Sequence, residues 1–365
     1  MKKVSILAAI ALMAVGCNKK TLDGPVVMGG ADATAPISFG AEAGVELAPT
    51  KVAVALPEDT KLGVFAFKTA SVPTSASTAT NALWSDGDAE NLEYTWNAAS
   101  SVFKENGTSP KLFWPTMADA TKLSFVSYFP YRSATATLNP YVGGDFVLKQ
   151  NMADQTAAPD YAFAWANLTN VGRPNPVISQ NLAFTYKVAK LTFRIIGDDG
   201  IKMQTGGTGV GVVAVKIYGA STGFYKNYTL NLLNGVVSGA DDLNSTDKML
   251  FKGVDKSETD NTVTPAVTTN YVEAEGYVVP SVDAGLKTDG IVVEIVYNDG
   301  NSDQSYTAEI KTSDKLTGNA ALANGLVAGT HYKYTLKLGK SGITFTGKVV
   351  DWTEVPADDD IVLED

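Results

Sequence analysis

The sequence predicts an all-β protein built as two tandem antiparallel β-sandwich domains. Three observations carry that expectation: short runs alternate apolar and polar residues with period two, Gly-rich turn signals separate them, and no segment sustains helical periodicity over three turns. A chain of 365 residues is long for one small β-domain and comfortable for two. Its 45% apolar and 19% charged residues suit a large buried core rather than general disorder.

The first residues predict an export signal. Met1-Lys2-Lys3 precedes an apolar stretch from Val4 to Val15 that is too short to span a bilayer, and Gly16-Cys17 follows. Ala14-Val15-Gly16-Cys17 resembles a bacterial lipobox, in which the small residues at 14 and 16 suit a peptidase groove. Residues 1–16 would then be removed and Cys17 lipidated, anchoring the chain on a membrane once more than one acyl chain is attached. Ordinary secretion with an unmodified Cys17 is the alternative. Residues 17–35 are rich in Gly, Ala and Thr without apolar periodicity, as in a flexible tether.

From residue 36 the strand signals begin. Early strands are expected at Val52–Leu56, Gly63–Phe67 and Leu123–Phe129, with the Ser/Thr/Ala-rich Ser71–Thr80 as a loop. Pro174 and Pro176 interrupt the rhythm between Pro159 and Gln180, which places a domain boundary near residue 180 and divides the body into 36–180 and 181–365. Val213, Val215 and Ile217 form one inward set, and Ile291, Val293, Ile295 and Tyr297 another. Asn234-Gly235 and Asn298-Asp299-Gly300 read as hairpin turns. Tyr332, Tyr334, Leu336 and Leu338 alternate with Lys333, Thr335 and Lys337, the clearest strand of all.

The same sequence excludes much chemistry. A formal charge of −10, about −12 once Lys2 and Lys3 leave with the signal, has no basic stripe to offset it and argues against nucleic acid as a partner. One cysteine and one histidine, His331, cannot supply thiolate or imidazole metal sites, which need three or four ligands. Gly206-Gly207-Thr208-Gly209-Val210-Gly211 lacks the lysine and the helix of a phosphate loop and reads as a β-turn. Asp299, Asn301 and Asp303 begin like a calcium loop, but Gln304 and Ile310 stand where glycine and glutamate belong. His331 has no nucleophile in a recognisable motif beside it. No catalytic residue and no cofactor are expected. Phe113, Trp114, Tyr128, Phe129 and Tyr131 read first as core packing; an outer-membrane lipoprotein that binds glycans through exposed aromatics is the alternative function they would serve.

Several stretches, taken in order, resemble the fimbrillin family of Bacteroidetes pilus subunits and adhesins. Leu62-Gly63-Val64-Phe65-Ala66-Phe67 is similar to an early strand of that family. Phe113-Trp114-Pro115 and the Leu123–Pro130 segment resemble its Trp-Pro turn and Tyr-x-Pro strand end. Leu182–Phe193 resembles the strand pair that opens the second domain, and Ala328–Leu338 with Ile343–Trp352 the closing hairpin. The resemblance implies transthyretin-like sandwiches and a lipoprotein precursor that reaches the cell surface, is cut by a trypsin-like protease, and polymerises by strand exchange with other subunits. A host or bacterial surface receptor would be its adhesive target. Carried onto this sequence, the displaced first strand is Pro36–Gly40, with Ile37 and Phe39 pointing inward, and the cut follows Lys51. No arginine precedes Arg132, so cleavage there requires a protease that accepts lysine; a lysine in an exposed loop is the alternative. Ile361 and Leu363, beyond the acidic Asp358–Asp360, are the candidate donor-strand residues.

Overall fold

In a computed structural model, the structure describes residues 35–41, 60–84, 89–106, 111–116, 120–133, 141–156, 163–198, 201–206, 209–311, 325–339 and 342–351. Strands dominate. The first half supplies β1 (Phe39–Ala41), β2 (Lys61–Phe67), β3 (Leu92–Asn97), β4 (Val102–Glu105), β5 (Leu123–Phe129), β6 (Tyr141–Val142), β7 (Val147–Asn151), β8 (Asp154–Gln155), β9 (Ala164–Val171), β10 (Gln180–Leu182) and β11 (Thr185–Tyr186). The second half supplies β12 (Ala189–Gly197), β13 (Gly211–Gly219), β14 (Tyr225–Asn231), β15 (Val237–Asp242), β16 (Met249–Asp260), β17 (Val267–Val278), β18 (Ile291–Asn298), β19 (Asp303–Ile310), β20 (Thr330–Gly339) and β21 (Gly342–Asp351). Two short helices, α1 (Ala76–Ala82) and α2 (Ala284–Asp289), complete the described elements.

The strands form two large curled sheets and a small one, the all-β double-sandwich class expected from the sequence. The first sheet runs β10-β1-β4-β3-β2-β5-β9-β11, and the second β19-β18-β13-β16-β17-β12-β20-β21, with β8 beside β16. The small sheet, β15-β14-β7-β6, draws strands from both halves of the chain. β9 crosses the proline-flanked stretch that breaks the sequence rhythm and pairs with both β5 and β11.

The alternation in β20 holds: Tyr332, Tyr334, Leu336 and Leu338 are all buried, and the strand lies between β12, parallel to it, and β21, antiparallel. Both hairpin turns form, with Gly235 and Gly300 at positive φ, a conformation glycine adopts without a Cβ penalty. Two local expectations are corrected. A β-bulge between Val212 and Ala214 shifts the phase of β13, so Val212 faces inward while Val213 is exposed. The stretch Ser71–Thr80 is not wholly loop, because α1 begins within it. Ser75 caps that helix by accepting the Thr78 N–H, and Ala79 gives it one buried contact.

At Gly63 the backbone of β2 lies directly beneath the ring of its cross-strand partner Tyr128. A Cβ at that position would sit 2.1 Å from the ring, so the strand tolerates no side chain there. The Tyr128 hydroxyl shares its one proton between Asn91 Oδ1 (2.7 Å) and the Arg132 carbonyl (3.0 Å) and accepts the Arg132 N–H (3.1 Å), tying β5 to the loops at the sheet edge.

Candidate strand-exchange groove

The segment 35–41 is built into the protein as a short ribbon. Its first residues run beside Lys111–Trp114, where Trp114 N–H donates to the Ala35 carbonyl (2.9 Å) and Ile37 N–H to the Leu112 carbonyl (3.0 Å). Its last residues lie between β4, antiparallel through Phe39 and Phe103, and β10, parallel over Phe39–Ala41. Gln180 N–H donates to the Ser38 carbonyl (3.0 Å), and the hydroxyls of Ser38 and Ser179 are 3.0 Å apart. β1 is the strand that connects β10 to the rest of its sheet. Without it, both β4 and β10 would present unpaired backbone groups across a gap one strand wide.

The side chains follow the period of the strand. Ile37 is 2% exposed and Phe39 fully enclosed, the inward placing that the family resemblance implies for this strand. The Phe39 ring meets Tyr94 edge-on at 5.2 Å and Phe125 at 5.3 Å, and Trp114 closes on the far side of Phe125 at 6.0 Å. Phe103, Leu112, Leu182 and Phe184 are buried in the same cluster. Sequence periodicity signals each of these residues as apolar, but not that they converge on one strand.

The floor of the groove is fixed by polar contacts. Glu105 carboxylate oxygens accept the N–H groups of Lys111 and Leu112 (2.9 Å), so the end of β4 holds the segment that receives Ile37. The Trp84 indole donates to the Phe113 carbonyl (2.7 Å) and Arg173 Nη1 to the Pro115 carbonyl (3.0 Å), pinning the Trp-Pro turn from both sides. Tyr94 donates its hydroxyl to the Ile37 carbonyl (3.2 Å). Burial, then the nearby Glu105 carboxylate, push its phenol pKa far up, so it remains a donor at any physiological pH.

Among the described residues Trp114 borders this groove, while His331 and Asp299 do not. Cys17, Lys51, Ile361 and Leu363 lie outside the described residues. His331 is packed on β20 with Nε2 2.8 Å from the Thr192 hydroxyl; burial, then Lys190 and Lys333, press its pKa down to about 3 and keep it neutral. Asp299 closes a turn by accepting the N–H groups of Asn301 and Ser302. No cluster of acidic, histidine or cysteine residues suited to a metal occurs among the described residues. Of the aromatic group, Trp114 and Tyr128 are buried, and the large hydrophobics that are exposed among the described residues are all valine or isoleucine.

Comparison with known proteins agrees with this architecture. The chain is 24% identical over 280 residues to a candidate fimbrium subunit, Fim1C, of Bacteroides uniformis, covering 73% of this chain and 75% of that protein. Its fold resembles a candidate cell adhesion protein from Bacteroides uniformis (TM-score 0.56, 19% identity, 88% of this chain and 98% of that one). It also resembles one from Bacteroides ovatus (TM-score 0.55, 18% identity, 89% and 100%). The sequence profile of the Fimbrillin-like family matches residues 50–352. By that match the chain belongs to the fimbrillin-like family of fimbrial and cell-adhesion proteins, which is not a family of enzymes.

Proposed function

We propose that this chain is a fimbrial subunit exported as a lipoprotein through Cys17 and carried to the outer membrane. There, cleavage after Lys51 releases its first strand, and a strand from a sister subunit takes the vacated place. The observation that carries the reading is the seat of Pro36–Gly40. It is a short N-terminal ribbon whose Ile37 and Phe39 fill the core of a sheet that β1 alone completes on one side. Each buried anchor contributes about 1.5–3 kcal/mol, and backbone pairing on both edges adds to this, so an empty groove strongly favours refilling by strand addition. Ile361 and Leu363 are the candidate donor residues. The change of domain is read near residue 180: β10 and β11, just beyond it, still pair in the first sheet, and from β12 onward every strand joins the nine-stranded or the four-stranded sheet.

Limited trypsin treatment of the purified precursor tests this. Cleavage after Lys51 should be followed by ladders of multimers on gels, and mass spectrometry of native fibres should find a mature N-terminus at Val52. A chain that stays monomeric after clean removal of residues up to Lys51, or fibres whose subunits keep the first strand, would overturn the proposal.

A further inference from the structure

We propose that the groove is selective, taking a strand of the pattern apolar–any–aromatic–glycine and discriminating against Ile361–Leu363. This rests on the strand-exchange reading and revises one part of it: the donor that fits the groove is not Ile361–Leu363 of this chain's own tail but a strand from a different subunit. The groove's backbone contacts are indifferent to sequence: Leu112 and Gln180 bond the main chain of the resident segment, and the Tyr94 hydroxyl reaches the Ile37 carbonyl. Discrimination therefore falls to the side-chain positions. At position 39 the seat is shaped by Tyr94 and Phe125, both edge-on to the resident ring at 5.2 and 5.3 Å. A leucine there fills less volume and forfeits both ring–ring contacts. At position 40 the backbone is buried, and a Cβ would lie 2.5 Å from Asn181 Oδ1, so Asn181 must swing away before any side chain enters.

Pro36-Ile37-Ser38-Phe39-Gly40 satisfies each demand. Laid in the same polarity, parallel to β10, with Ile361 at position 37, the tail puts Leu363 at the aromatic seat and Glu364 at the glycine position. There the Glu364 Cβ would meet Asn181 Oδ1, which has to turn aside first, on the face opposite Ile37 and Phe39. Tyr94 and Phe125 are thus the specificity-determining residues of the groove, and the fitting partner is a sister subunit whose donor carries an aromatic two residues after an aliphatic, followed by glycine.

The test uses the full chain carrying Phe39→Leu with Gly40→Glu, which writes the tail's residues into the resident strand and loosens it; the unaltered chain over longer incubation serves if that variant does not fold. Three fluorescent peptides are offered: residues 35–41, the same peptide with leucine at position 39, and residues 359–365. Anisotropy should show the 35–41 peptide bound at least about tenfold more tightly than the tail peptide, with the leucine version between them. Equal uptake of 35–41 and 359–365 overturns the selectivity while leaving strand exchange standing. Uptake of neither by the full chain after limited trypsin treatment has removed residues up to Lys51 overturns strand exchange itself, and this inference with it.

Discussion

Replacing Phe39 by alanine probes the seat of the first strand most directly. The ring is fully enclosed, so truncation removes its transfer free energy and leaves a void; in cores that change costs about 3–5 kcal/mol. Its two edge-on partners add about 0.5–1.5 kcal/mol each, which points to the upper part of that range. The loss has a ceiling, because once it exceeds the free energy of detaching the ribbon, the ribbon lets go and the rest of the chain stays folded. Amide hydrogen exchange distinguishes these regimes. The N–H groups of Ile37, Trp114 and Gln180 bond across the ribbon's boundary, and their protection should fall by roughly a hundredfold or more, each factor of ten being about 1.4 kcal/mol. Amides of β13 and β18 should keep theirs if detachment is local. Unchanged protection at those three amides, together with an unchanged urea midpoint, would refute the view that Phe39 anchors the strand.

Gly63→Ala should destabilise by about 1–3 kcal/mol or more, since its Cβ would collide with the Tyr128 ring; a urea midpoint equal to that of the unaltered chain would contradict this. The buried Glu294 is pushed up by burial, but Lys248 and Lys216 outweigh that and hold its carboxyl below the ordinary value. Lys248→Met should cost about 1–3 kcal/mol at pH 7, and the cost should shrink as pH falls through the carboxyl's folded pKa and Glu294 takes up a proton. Denaturation at pH 7 and at a pH well below the ordinary carboxyl range, about 2.5, checks both statements. His331 is held neutral with a pKa near 3 in the folded chain against about 6.5 unfolded. Between those values the unfolded state binds more protons, so His331 makes stability fall with acidification by up to about 1.4 kcal/mol per pH unit. His331→Gln should flatten that limb, and a slope unchanged between pH 6.5 and 4 would show that the imidazole does not titrate this way.

Much of the fold is legible because period-two alternation reports which face of a strand is buried, as in β20. Where a bulge inserts a residue the period loses phase, which is why Val213 was read inward and lies outside. The helix at Ala76–Ala82 escaped notice because Ser, Thr and Ala dominate it and only one residue is buried, leaving no apolar stripe to read. The candidate groove was half legible. Its resident strand comes from the family resemblance, while its walls come from Tyr94, Phe103, Leu112, Phe125 and Leu182, which only long-range pairing assembles. The parallel partnership of β1 with β10, across about 140 residues of sequence, has no local signature at all.

The small sheet carries a further consequence. β7 and β14 come from opposite halves of the polypeptide and are zipped over five residue pairs, from Asn151 with Asn227 to Val147 with Asn231. Load passing between the two halves of the molecule would therefore be carried by a main-chain ladder as well as by the connecting chain. Splitting the gene near codon 180 to express the halves separately would give each fragment a raw β-edge, and co-expression rather than isolation is the way to recover them.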